Sequence, residues 1–141
     1  MFAISSSDVR KDWSSIMDLA IREKPVFIKR TRDYMMLATI DTISELVSDL
    51  KFVVNIYHEN DGSVTLSLNE LDIVVNSNDI SSAKSNLVKD IIEYAEEYYK
   101  DFARYSNSPN RRSHLPYVIK ALTAKSPKEL EDALTCPNGE I

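Results

Sequence analysis

Val26-Phe27-Ile28-Lys29-Arg30-Thr31-Arg32-Asp33-Tyr34-Met35-Met36-Leu37-Ala38-Thr39 decides how the first part of the chain is read. Two β-rich arms, 26–28 and 34–39, flank a polar, charged tip, which predicts a β-hairpin with a basic point. Upstream, Pro25 ends a helix. That helix is written in Val9, Trp13, Ile16, Met17, Ala20 and Ile21, whose spacing puts them on one apolar face. Ser5, Ser6 and Ser7 offer its N-cap, and Asp8 sits near the positive end of the helix dipole. Residues 2–5 read as a short strand before it. Downstream, Asp41 or Thr42 caps a second helix with Ile43, Leu46, Val47 and Leu50 on one face. The predicted order over residues 1–50 is therefore strand, helix, strand, strand, helix.

At Lys51 the pattern changes. Phe52-Val53-Val54-Asn55-Ile56-Tyr57 reads as a strand, and Glu59-Asn60-Asp61-Gly62 as a turn with a strong Asp-Gly hairpin signal. Ser63 to Leu68 alternates apolar and polar residues, so one face is buried and the other wet. Leu71-Asp72-Ile73-Val74-Val75 supplies a third strand of an antiparallel meander. Ser77 or Asp79 caps a long helix with the stripe Ile80, Ala83, Leu87, Ile91, Tyr94, Tyr98, Phe102 and Tyr105. If continuous it runs about 40 Å at ~1.5 Å per residue, so it either kinks or projects towards a partner. Residues 106–113 read as a polar loop and Tyr117–Lys125 as a helix. Ser126-Pro127-Lys128-Glu129 is a strong helix start, and the tail from Thr135 is expected to fray. The fold class is α+β in two modules, 1–50 and 51–141, the second a three-stranded meander with C-terminal helices.

Apolar residues make up 43% of the 141, enough for a core. No apolar run approaches the roughly 20 residues of a membrane helix. Met1-Phe2-Ala3-Ile4-Ser5 has no basic segment leading into an apolar one, so no signal peptide is expected. The single cysteine, Cys136, excludes an internal disulfide and suits a reducing cytoplasm. Two glycines, Gly62 and Gly139, rule out a glycine-rich phosphate loop. Net charge is −5, with most of the acid excess beyond residue 50, whereas Arg22, Lys24, Lys29, Arg30 and Arg32 cluster within eleven residues. Such a local patch can bind phosphates on an acidic protein.

Ser6-Ser7-Asp8-Val9-Arg10, Trp13 with Ile16-Met17-Asp18, Glu23-Lys24-Pro25-Val26-Phe27-Ile28-Lys29-Arg30 and Leu37-Ala38-Thr39-Ile40-Asp41 together resemble the N-terminal module of Phd/YefM-type antitoxins. The likeness spans about residues 3–50. It implies a module that dimerises and reads operator DNA, in an antitoxin that also represses its own operon. The helix start at Ser5, Ser6 and Ser7, with Arg10 and the hairpin residues Lys29, Arg30 and Arg32, would then face the duplex. The family's turn glycine is absent; Thr31-Arg32-Asp33-Tyr34 stands there instead. More faintly, residues 52–105 resemble HicB-like antitoxin domains, through Asp61–Leu71 followed by Ile80–Leu87.

Each site has a plainer alternative. The alternative for the basic hairpin is a solvated turn, and for Arg10 a surface partner of Asp8 or Asp12. Trp13, Ile16 and Met17 carry the spacing of core or dimer interface. Tyr94, Tyr98, Tyr99, Phe102 and Tyr105, with Glu93, Glu96, Glu97 and Asp101, are either a partner surface or a helix packed on the meander. His58, Glu59 and Asp61 lack a second histidine or cysteine at ligand spacing, so no metal is expected. His114 is expected on a loop surface. No base accompanies Cys136, and no catalytic set assembles, so neither an enzyme nor a cofactor is expected. The expectation is a cytoplasmic antitoxin whose second module meets a protein toxin. The toxins of such systems are often basic ribonucleases in the family picture, which the acid of 51–141 would complement. The competing expectation is a dimerisation platform with no DNA role.

Overall fold

A computed structural model describes residues 2–137. The fold is α+β, and the chain divides into two compact units between residues 46 and 47.

The first unit is built on a three-stranded sheet. Strand β1 (Ala3–Ser5) pairs in parallel with β2 (Val26–Arg30), which pairs antiparallel with β3 (Asp33–Leu37). A parallel pair needs a crossover, supplied by α1 (Ser6–Lys11) and α2 (Trp13–Arg22). The expected single helix is thus two. Asp12, at φ −130° and ψ 44°, breaks it and re-aims the second segment. Ile16 and Ala20 then bury with Val9, Val26 and Ile28, while Trp13 and Ile21 face outward. The hairpin tip is Thr31-Arg32, between the paired Arg30 and Asp33. Thr31 takes φ +57°, the left-handed region that glycine favours. Helix α3 (Ile40–Leu46) is capped by Thr39, whose Oγ1 accepts from Thr42 N–H at 3.2 Å, rather than by Asp41 or Thr42. It stops short of Val47 and Leu50 and has no buried residue, so Ile43 and Leu46 do not form the expected packed face.

In the second unit β4 (Phe52–His58), β5 (Val64–Leu68) and β6 (Ile73–Ser77) form the antiparallel meander. Asp61 takes the turn, its Oδ1 accepting from Ser63 N–H at 2.9 Å and Ser63 Oγ at 2.6 Å, and Gly62 has φ +88°. The third strand starts two residues later than expected, because Asp72 at φ +55° still belongs to the turn. Phe52, Val54, Leu66, Leu68 and Val75 line the inner face.

Helix α4 (Ile80–Lys100), capped by Asp79, covers that face with Ala83, Leu87, Ile91, Ala95 and Tyr98. The long stripe kinks: Asp101 at φ −121° and ψ 48° starts α5 (Phe102–Asn107), which brings Tyr105 back onto Tyr98. A 3-10 turn (Arg112–His114) leads into α6 (Leu115–Thr123). Helix α7 (Pro127–Asp132) is capped by Ser126, whose Oγ accepts from Glu129 N–H at 3.2 Å. The chain then adds β7 (Leu134–Thr135), parallel to β4, where fraying was expected from Thr135. The remainder of that expected tail, from Asn138, lies outside the described residues. No helix among the described residues is long and apolar enough to cross a membrane.

Candidate nucleic-acid interface

The parallel β1–β2 pair sets the geometry of the basic surface. Helix α1 leaves directly from the end of β1, so its first turn lies beside the end of β2. Ser6, Ser7, Arg10 and Arg30 accordingly line one open cleft of about 400 Å³. Both guanidinium side chains are exposed. Ser5 is committed elsewhere: its hydroxyl accepts from Asp8 N–H at 3.2 Å and caps α1. The structure therefore assembles four of the seven residues expected to meet DNA.

The other basic residues diverge because strand side chains alternate. Arg30 points to the helix-covered face with Val26 and Ile28. Lys29 points to the opposite face and lies 5.4 Å from the Tyr34 ring centroid. Arg32 is exposed at the tip. On Lys29's face the register aligns Ala3, Phe27 and Met36 across the sheet, with Phe27 and Met36 about 40% exposed. At one end, Phe2, Ala3, Ile4, Leu19, Pro25 and Phe27 help to line an apolar cleft of about 690 Å³. Of the three residues expected as core or dimer contacts, Ile16 is buried, Met17 half-buried and Trp13 exposed.

The tyrosine stripe of the second unit is also divided. Tyr98 is fully buried and its hydroxyl donates to the Arg111 carbonyl at 3.0 Å. Tyr94 meets His114 Nδ1 at 2.6 Å, and Tyr105 stacks on Tyr98 with centroids 5.2 Å apart. Burial pushes the Tyr94 and Tyr98 hydroxyls up from the usual phenol value, opposed at Tyr94 by Arg111. Tyr99 and Phe102 are exposed, among exposed Glu93, Glu96, Glu97 and Asp101.

His114, expected on the surface, is buried. Its Nε2 lies 3.5 Å from Asp72 Oδ2, so a proton on Nε2 leaves Nδ1 to accept from Tyr94. Burial holds its pKa below the ordinary imidazole value, partly offset by Asp72. Nothing local in the sequence marks this residue, whose partners lie 20 and 42 positions away. Among the described residues no group of three histidine, cysteine or acidic side chains is arranged to hold a metal.

A family model described as Phd-like, the antitoxin of RelE/RelB toxin–antitoxin systems, matches residues 1–135. A crystal structure at 1.80 Å, of the antitoxin part of a proposed toxin/antitoxin system from Syntrophomonas wolfei subsp. wolfei, is similar at TM-score 0.91. It is 29% identical, over 96% of this chain and 98% of that one. No curated protein sequence matches significantly.

Proposed function

The chain belongs to the family of Phd-like antitoxins of RelE/RelB toxin–antitoxin systems, and from that membership we propose that it neutralises a cognate toxin by direct binding and represses its own operon as a DNA-bound homodimer. The observation that carries the DNA half is the cleft shared by Ser6, Ser7, Arg10 and Arg30. Two guanidinium groups and two hydroxyls in one concavity suit a phosphate backbone, with Arg10 free to reach a base edge. Arg32 adds an anchor at the tip, and Lys29 acts from the other face. The element order of the first unit supports placing it with the Phd/YefM branch. The HicB-like likeness of residues 52–105 rests on a hairpin, strand and helix order alone and has no part in the proposal.

Dimerisation is supported by the exposed Phe27 and Met36, the neighbouring apolar cleft and the outward Trp13. Exposed apolar patches of this kind mark interaction surfaces. A two-fold dimer doubles the DNA contacts and matches a palindromic operator. In the second unit the outward Tyr99 and Phe102, set in acid, form the toxin-facing surface, and the inward Tyr94, Tyr98 and Tyr105 hold it in place. The protein acts in the cytoplasm and performs no catalysis of its own.

The test is co-expression with the product of the adjacent reading frame, whose growth arrest the chain should relieve. Purified together, the two should elute as one complex that Tyr99→Ala with Phe102→Ala weakens at least tenfold. Growth arrest that persists despite soluble, folded chain contradicts the toxin half.

A further inference from the structure

We propose that the cleft around Arg111, in the second unit, binds a phosphate group. Arg111 is half-buried, and its guanidinium carbon lies 4.7 Å from the Tyr105 ring centroid and 5.7 Å from that of Tyr94. Its backbone is fixed as well: its N–H donates to the Ser108 carbonyl at 3.0 Å and its carbonyl accepts from Tyr98. The Tyr94 and Tyr105 rings stand at 89° to one another, so the guanidinium sits in their corner, with one donor on the Tyr94 hydroxyl and the rest left for the cleft.

A half-buried cation is ordinarily paired with a carboxylate. Among the described residues Arg111 has none. Asp101 pairs at 3.5 Å with Arg104 of the same cleft, an exposed and therefore weak pair that a phosphate would have to displace, and Asp72 lies 3.5 Å from His114. The open side of Arg111 is a polar cleft of about 120 Å³ lined by Arg104, Tyr105, Ser108 and Arg111. That is room for several waters, enough to admit one tetrahedral oxyanion. Two arginines at one small concavity match a phosphate dianion better than a carboxylate, which needs one. Ser108 Oγ already donates to Asn110 Oδ1 at 3.1 Å and can donate to a phosphate oxygen only by turning, so the arginines carry the binding.

The phosphate comes either from a small phosphorylated molecule or from a nucleic-acid backbone. The site is independent of the DNA surface of the first unit, and the experiment keeps them apart. Full-length protein carrying Arg10→Ala and Arg30→Ala is titrated with inorganic phosphate, a mononucleotide and a twelve-residue single-stranded oligonucleotide at low salt, followed by phosphorus NMR and calorimetry. Phosphate should bind at one site. Arg111→Met, which keeps the stacked bulk and removes the charge, should weaken it at least tenfold, and Arg111→Lys should recover part of the loss. An oligonucleotide no tighter than phosphate identifies a small ligand, and one more than tenfold tighter and salt-sensitive identifies a backbone. Three results overturn the proposal: no phosphate binding, binding unchanged in a folded Arg111→Met protein, or acetate binding as tightly as phosphate.

Discussion

Tyr98 and Tyr99 are adjacent, chemically identical and oppositely placed, so one pair of substitutions tests the packing of the second unit. Tyr98 is fully buried against Tyr94, Phe102 and Tyr105 and donates to the Arg111 carbonyl. Tyr98→Ala removes the ring and leaves a cavity, a loss of about 3–5 kcal/mol by analogy with large aromatic truncations. Tyr98→Phe removes only the hydrogen bond and costs about 1 kcal/mol. Tyr99 is 67% exposed, so Tyr99→Ala should change stability by no more than ~0.5 kcal/mol. At ~0.05–0.15 kcal/mol per residue the whole second unit is stabilised by about 5–14 kcal/mol. Tyr98→Ala therefore removes a large fraction of it. With a urea m-value of ~1–2 kcal/mol/M the unfolding midpoint should fall by about 1.5–5 M. Far-ultraviolet circular dichroism against urea reads all three variants. A Tyr98→Ala loss below ~1 kcal/mol, or equal losses at 98 and 99, refutes the division of the stripe into an inward and an outward set.

His114 gives a pH prediction. Its folded pKa is depressed from 6.5, so the unfolded chain binds the proton more readily. The stability is present above 6.5 and is lost as pH falls below that value and through the folded pKa. His114→Gln should flatten this limb in thermal melts between pH 8 and 5, and an unchanged slope counts against the buried neutral imidazole. Thr31 holds φ +57°, a conformation asparagine tolerates far better than a β-branched residue. Thr31→Asn should accordingly raise the stability of the first unit by ~0.5–1 kcal/mol, and a loss in urea melts would contradict the strain. Ser126→Ala removes the cap of α7 and should cost about 1 kcal/mol, whereas Ser126→Asp should cost far less. Equal losses in the two variants would show that the cap is not what Ser126 supplies.

The meander was legible because its alternation, its Asp61-Gly62 turn and its inner residues lie close together in sequence. Ser126 was legible because a cap is a local device. The break at Asp12 was not: apolar spacing runs on across it, and only tertiary burial of Ile16 selects the broken form. The length of the second stripe did offer a kink as one of two outcomes, but its place at Asp101 rests on the packing of Tyr105 against Tyr98. Strand β7 and the burial of His114 are non-local, resting on Phe52 and on Tyr94 and Asp72. The shared cleft of Ser6, Ser7, Arg10 and Arg30 depends on β1 pairing in parallel with β2, which a hairpin pattern alone does not specify. The separation of Lys29 from Arg30, by contrast, was available from the two-residue period of a strand. A cluster of charges within a strand is two half-clusters on opposite faces.

Binding of operator DNA by the α1–β2 cleft is tested most directly by fluorescence anisotropy of the full chain on its own upstream DNA across a salt series. Arg10→Ala with Arg30→Ala removes four cationic side chains from a dimer. At ~0.9 per phosphate contact the log–log salt slope should fall by about 2 from the two Arg30 side chains, and by up to about 4 with Arg10 on phosphate as well, with affinity reduced well beyond tenfold while the dimer persists. Wild-type affinity no greater than for unrelated DNA, or a slope unaltered by the double substitution, would contradict it.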